Sequence, residues 1–220
     1  MAVKPGTKQA RGRARREAIL EAAAMLFATN GFRGTSIAAI AEKVGVTDAG
    51  VLYHFPTKTD LLLAVLAHFE RLDADELAET YARGGYDLLL ALRDLGAQME
   101  RTPDLTALGL TLSAEHLQDD SVVNAYFRER YAVLRAFFEE AITDAIDSGH
   151  VRPDVDAASE ASALIAHLDG IRFQWFFSDG AVSMDQSVRT YTDAMLARVR
   201  ADVDNTRSPR AGRATARPGI

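Results

Sequence analysis

Between Thr35 and Pro56 two short helix patterns are joined through one glycine, and this spacing fixes how the N-terminal part can fold. From Thr35 to Val44 the apolar residues Ile37, Ile40, Ala41 and Val44 recur at i, i+3, i+4 and i+7, one face of a helix with Thr35 placed as its N-cap. Gly45 ends that helix because it takes positive φ without steric penalty, and Val46 points an apolar side chain back between the two helices. Thr47 caps the second helix, Asp48 to His54, which stops where Pro56 forces Phe55 out of helical geometry. A longer amphipathic helix precedes the pair, from Arg11 into Asn30, with Ile19, Ala22, Ala23, Leu26 and Phe27 as its packing face. Such a pair suits the DNA major groove, which admits one helix while the other braces it across the backbone.

The segment Thr47-Asp48-Ala49-Gly50-Val51-Leu52-Tyr53-His54-Phe55, followed by Pro56-Thr57-Lys58, resembles the TetR family of one-component bacterial transcriptional regulators. The resemblance is close from Arg13 to about Leu63. It implies phosphate contacts from Tyr53, His54 and Lys58, and recognition-helix contacts from Thr47, Asp48, Ala49 and Gly50, with Thr35 at the start of the bracing helix also on the DNA side. Tyr and His can donate to phosphate oxygens, and Lys58 adds charge to the free N–H groups of a helix start. Three positions depart from the family pattern: Gly50 stands for the usual threonine, Leu52 for the usual tyrosine, and Asp48 where a basic or amide side chain is common. The first two exchange hydrogen-bonding groups for apolar contact or close backbone approach. Asp48 either accepts from cytosine N4 or stabilises the helix N-terminus.

Charge is segregated in the same sense. Residues 1–58 hold nine Lys and Arg against four acids, a net of +5, whereas the whole chain is at -6. Residues 205–220 add four arginines and no acid, so residues 59–204 carry -15. A basic end on an acidic body presents one face to nucleic acid and keeps the other off it. Residues 1–12 read as a disordered basic arm that adds salt-dependent affinity or reaches a groove, and residues 205–220 as a disordered tail.

Everything else reads as helix, with no alternating strand pattern, so the fold class is all-α: a helix-turn-helix domain at 13–58 and a helical body at 59–204. Thr57 and Asp60 form a capping-box-like start for a helix from Leu61 to about Ala82. Further helices are expected at Tyr86 to Arg101, Leu105 to Leu117, Val122 to Ser148, Ala157 to Ser178 and Met184 to Val203. The absence of cysteine excludes disulfides and thiol chemistry. No run of about 18 apolar residues and no secretory core is present, which points to a cytoplasmic protein.

The helix from Ala157 is apolar nearly all round, so it is buried on several sides, either as core or as a dimer interface. The family resemblance implies the latter, a homodimer through the last two helices, with Leu164, Leu168, Ile171, Trp175, Phe176, Tyr191 and Met195 as candidate interface residues. It also implies a small-molecule effector pocket in the body. Candidate lining residues are Phe69, Tyr86, Met99, Leu112, His116, Tyr126, Phe127 and Trp175, each equally readable as core. No metal is expected, because Glu115 and His116 are adjacent and point to different faces, and no cofactor motif is present. Without a phosphate loop, nucleophile elbow or histidine cluster an enzyme is not expected. The reading is a dimeric regulator, most simply a repressor released from a palindromic double-stranded operator by its effector. The alternatives are a regulator that needs its effector to bind DNA, and a helical adaptor or structural module.

Overall fold

The computed structural model describes residues 5–69 and 85–201, and their regular structure is helical apart from one isolated antiparallel bridge between Val151 and Arg200. Helix α1 spans Pro5–Gly34, so it begins inside the stretch expected to be a disordered arm. Gly31, at φ 71 and ψ 173, breaks its geometry, which ends the regular helix at Asn30 as the periodicity indicates.

Helix α2 (Ile37–Val44) starts one residue later than expected. Ser36, in extended geometry, is the N-cap and accepts from the Ala39 N–H at 3.1 Å. Thr35 is instead buried, and its hydroxyl donates to the carbonyls of Leu26 (3.0 Å) and Gly31 (2.8 Å), tying the end of α1 to the start of α2. Periodicity cannot choose between adjacent Thr35 and Ser36, since either can cap. Gly45 takes the left-handed conformation, φ 72 and ψ 37, and the Val46 N–H closes back on the Ala41 carbonyl at 3.0 Å. Helix α3 (Asp48–His54) is capped by Thr47, whose oxygen accepts from the Gly50 N–H at 3.1 Å, and ends at extended Phe55. Helix α4 is described over residues 58–69; its expected continuation to Ala82 lies outside the described residues, as do residues 1–4 and the tail at 205–220. Thr57 and Asp60 cap its start reciprocally, with the Thr57 N–H on Asp60 at 3.0 Å and the Asp60 N–H on Thr57 at 3.0 Å.

The single helix expected over Tyr86 to Arg101 is two helices, α5 (Gly85–Ala91) and α6 (Leu95–Arg101), separated by a tighter 3-10 turn at Leu92–Asp94. That turn lies against α10 (Met184–Val199), where Arg93 pairs with Asp193 at 2.5 Å and Asp94 with Arg189 at 3.2 Å. The apolar period runs through the turn unbroken, so it leaves no trace in the sequence. Helix α7 (Pro103–Glu115) begins with proline in its first turn, where the missing N–H costs nothing. Helix α8 (Val122–Asp147) is capped by Ser121 and α9 (Ala157–Phe177) by Asp156.

Two apolar cores organise these elements. One joins Ile19, Ala23 and Phe27 of α1, Ile40 of α2, Val51 of α3 and Leu62 and Val65 of α4 to Leu108 and Leu112 of α7 and Val123 of α8. The other gathers Leu89, Leu92, Met99, Ile142, Leu164, Leu168, Met184 and Val188. The first core crosses the boundary drawn at residue 58. The helix-turn-helix pair and the near end of the body are therefore packed as one unit, and α1 lies along α7.

Candidate nucleic-acid interface and ligand cavity

Helix α3 turns Val51 fully inward and leaves Thr47, Asp48, Ala49, Leu52 and Tyr53 facing out. Tyr53 is 84% exposed, an unusual position for a ring unless its hydroxyl serves an outside partner. His54 is half-buried, with the Tyr53 ring edge-on at 5.3 Å, and Arg16 of α1 stands over the Phe55 ring at 4.9 Å. Thus α3 presents two acceptors, one phenol and two apolar side chains, all braced from behind by the first core. A Cβ at Gly50 would sit 3.4 Å from the Thr47 hydroxyl and 3.5 Å from the Val46 Cβ, so sterics do not demand glycine there.

Two residues expected at the DNA are spent inside the protein. Thr35 is buried, as described. Lys58 donates to the carbonyls of Phe32 and Thr35, both at 2.9 Å, and lies 4.4 Å from the centre of the Phe32 ring. Phe32 lies in the last turn of α1 and Thr35 just past it, so Lys58 serves as a remote cap for the end of that helix. Spacing showed a lysine in the first turn of α4 and could not show that the chain would fold its ammonium back on α1. Arg33 and Lys43, part of the basic charge of residues 1–58 but not among the residues expected at the DNA, are exposed on this part of the chain.

Phe32 is also the contact point with the body. Its N–H donates to the Glu115 carboxylate at 2.6 Å, and its ring meets that of His116 at 5.5 Å. A Cβ at Gly31 would overlap that carboxylate, so the positive-φ glycine is what admits Glu115 to the end of α1. His116, expected in the pocket, is buried here with Nδ1 2.6 Å from Asp119, whose pKa is lowered first by the hydrogen bond it accepts from the Ser121 hydroxyl and then by His116.

The other pocket candidates divide between the two cores. Phe69, Tyr126 and Phe127 line one cavity of about 80 Å³ with Leu66, Leu105, Leu108, Gly109 and Arg130. Phe69 and Leu105 also wall a larger one, about 270 Å³, that reaches Ala24 and Met25 of α1 and the turn at Thr102 and Pro103. Leu112 and Met99 are core, Tyr86 stacks on His150 at 4.8 Å, and Trp175 packs edge-on to Phe176 in the second core. Arg130, which no sequence pattern marked, is the charged group on the smaller cavity. Among the described residues no three His, Asp or Glu side chains gather as a metal site, and no helix is long and apolar enough to cross a membrane.

Residues 19–65 match the model of bacterial regulatory proteins of the tetR family, and residues 87–200 match that of the BetI-type transcriptional repressor C-terminal domain. The chain belongs to the TetR family. This TetR chain is 31% identical over 160 residues to the HTH-type transcriptional repressor AcnR of Corynebacterium diphtheriae, covering 71% of the chain and 78% of the relative. A transcriptional regulator from Saccharomonospora viridis, solved in complex with choline, superposes with a TM-score of 0.71 at 26% identity over 83% of this chain and 95% of the other. The SmeT–triclosan complex shares the fold, with a TM-score of 0.74 at 22% identity over 86% and 93%. TetR regulators bind DNA and small-molecule effectors, and this chain is a DNA-binding transcriptional regulator of that family with a C-terminal domain of the repressor type.

The candidate interface residues divide by their burial within the protomer. Leu164, Leu168, Ile171 and Met195 are between 0% and 5% exposed, held in the protomer's own second core. Trp175, Phe176 and Tyr191 are half-buried, with Tyr191 stacked on His167 at 4.1 Å. The face that α9 leaves open runs instead through Ser162, Ala163, Ala166, Phe173 and Phe177. Phe177 is 88% exposed and lies parallel to Phe173 at 6.4 Å. An all-round apolar helix shows no outward side by periodicity, so only packing could separate these sets.

Proposed function

We propose that this TetR-family repressor acts in the cytoplasm as a homodimer on a palindromic double-stranded operator and leaves it when a small molecule fills the body. The outward row Thr47, Asp48, Ala49, Leu52 and Tyr53 on α3 carries the reading. Asp48 and Ala49 face base edges, Gly50 lets the backbone approach, and Tyr53 and His54 donate to phosphates. The open face of α9 meets its copy in the partner: Ser162, Ala163 and Ala166 allow close helix approach, and Phe173 and Phe177 supply apolar area. Two recognition helices then address successive major grooves, about 34 to 36 Å apart.

Release follows from the shared first core. A ligand between α4, α7 and α8 moves groups that also pack α1 and, through Phe32, hold the ends of α1 and α4 together. If it binds the DNA-incompetent spacing better, operator and ligand weaken each other by the same factor. Choline and triclosan occupy relatives of like fold, so lining side chains rather than fold select the effector. The reading involves binding alone, with no catalytic step.

Selection of bound sequences from a random double-stranded pool, with the winner titrated against salt, tests this. A palindrome bound by two chains is expected. Enrichment of no sequence, or of an asymmetric site bound by one chain, would overturn it.

A further inference from the structure

Helix α3 exposes Asp48, Ala49, Leu52 and Tyr53, and of these only Leu52 has been given no part in binding DNA. Leu52 is 40% exposed, whereas its neighbour Val51 is fully buried and anchors the helix in the first core. It follows Asp48 by four residues and Ala49 by three, so the three side chains lie next to one another on the helix surface. An aliphatic side chain therefore sits between the groups that face base edges. The part of the chain that carries it is cationic, +5 over residues 1–58, and matches the tetR-family model over residues 19–65, so the surface it belongs to is the one turned to DNA.

What this surface can select follows from its hydrogen-bonding groups. Asp48 is an acceptor only, and the side chains of Ala49 and Leu52 carry no polar atom. The Thr47 hydroxyl is engaged as the helix cap, accepting from the Gly50 N–H. Asp48, Ala49 and Leu52 therefore bring no paired donors to a base edge, and paired donors are what choose guanine in the major groove. Of the four bases only thymine presents an apolar group there, its C5 methyl. We infer that Leu52 is a specificity-determining residue that reads a thymine in each operator half-site by packing on that methyl group. This rests on the DNA-binding reading above and names the base that one residue of that face selects. Gly50 favours the contact. A Cβ there would meet its nearest neighbours at 3.4 and 3.5 Å, so internal packing does not demand glycine, and its bare backbone lets α3 approach to the 3.5 to 4.0 Å or so at which carbon atoms attract.

The test takes the palindrome selected from the random pool and replaces its thymines one position at a time, in both half-sites, by deoxyuridine. That exchange removes the methyl group and leaves base pairing and every hydrogen-bonding group in place. Binding of the full chain is read by fluorescence anisotropy. At one position uracil is expected to weaken binding about fourfold per half-site, the worth of one buried methyl group. Leu52→Ala should bind the thymine and uracil operators equally at that position and keep its penalties at the others, which isolates the pair. Leu52→Gln, which brings paired amide groups, should move the preference there from thymine toward adenine. Melting temperature checks that both variants fold; if Leu52→Ala does not, Leu52→Gln decides. A uracil penalty that persists in the folded variants, or an equal loss on operator and random DNA with the penalty unchanged, overturns the inference. A palindrome with no methyl-sensitive thymine overturns the assignment of Leu52 and leaves the repressor reading standing, whereas enrichment of no sequence overturns both.

Discussion

The carboxylate of Glu115, at the end of α7, accepts the backbone N–H of Phe32 at 2.6 Å, and this bond joins the body to the last turn of the DNA-binding domain's first helix. Glu115→Gln keeps the shape and removes the charge, so the bond weakens without leaving a cavity. A loss of about 1 to 2 kcal/mol is expected, read as a lower urea midpoint at unchanged slope. The fold-change in operator affinity caused by saturating effector should shrink as well. An unchanged ratio with lowered stability would make the joint structural only.

Lys58→Met should behave as a stability variant. The carbonyls of Phe32 and Thr35 lose their donor, lowering the melting temperature, while the slope of log affinity against log salt stays as in the parent. A slope reduced by about one with unchanged melting would return Lys58 to the phosphates.

Tyr53 is exposed enough that Tyr53→Phe should leave stability within about 0.5 kcal/mol of the parent and weaken specific and random DNA by equal factors. Asp48→Asn separates two roles. A uniform effect on DNA with a small stability loss marks helix-end electrostatics, whereas a change of about 1 to 3 kcal/mol in preference at one base pair marks base reading.

Charge placed on the outward face of α9 should dissociate the dimer without unfolding the protomer. Phe177→Glu is expected to give a folded monomer with lost operator affinity, by sedimentation and DNA anisotropy. Leu168→Glu puts a charge into the second core and should unfold the chain instead. A dimeric Phe177→Glu protein would remove this face from the interface.

Burial, opposed in part by a hydrogen bond from the ring to the Ser187 backbone, depresses the pKa of His167 below its ordinary 6.5. The unfolded chain therefore takes up a proton first as pH falls. Stability from the neutral ring, stacked on Tyr191, is complete above 6.5 and declines as pH drops through the folded pKa. His167→Phe should flatten that decline in urea melts between pH 7 and 5, and a proton-resonance titration of His167 should give a midpoint below 6.5.

Residues close together along the chain were enough to specify the helix-turn-helix pair, the caps at Thr47 and Thr57, the left-handed stop at Gly45 and the all-helical body. Each of these follows from residues within one or two turns of one another. Whether Thr35 or Ser36 would cap, where the Lys58 ammonium would go, that Glu115 would reach Phe32, which side of α9 would stay open, and that Tyr126 and Arg130 would share a cavity with Phe69 were decided only by tertiary structure. Those outcomes depend on groups far apart in the chain competing for one space or one hydrogen bond, and periodicity along a single helix carries no record of its neighbours.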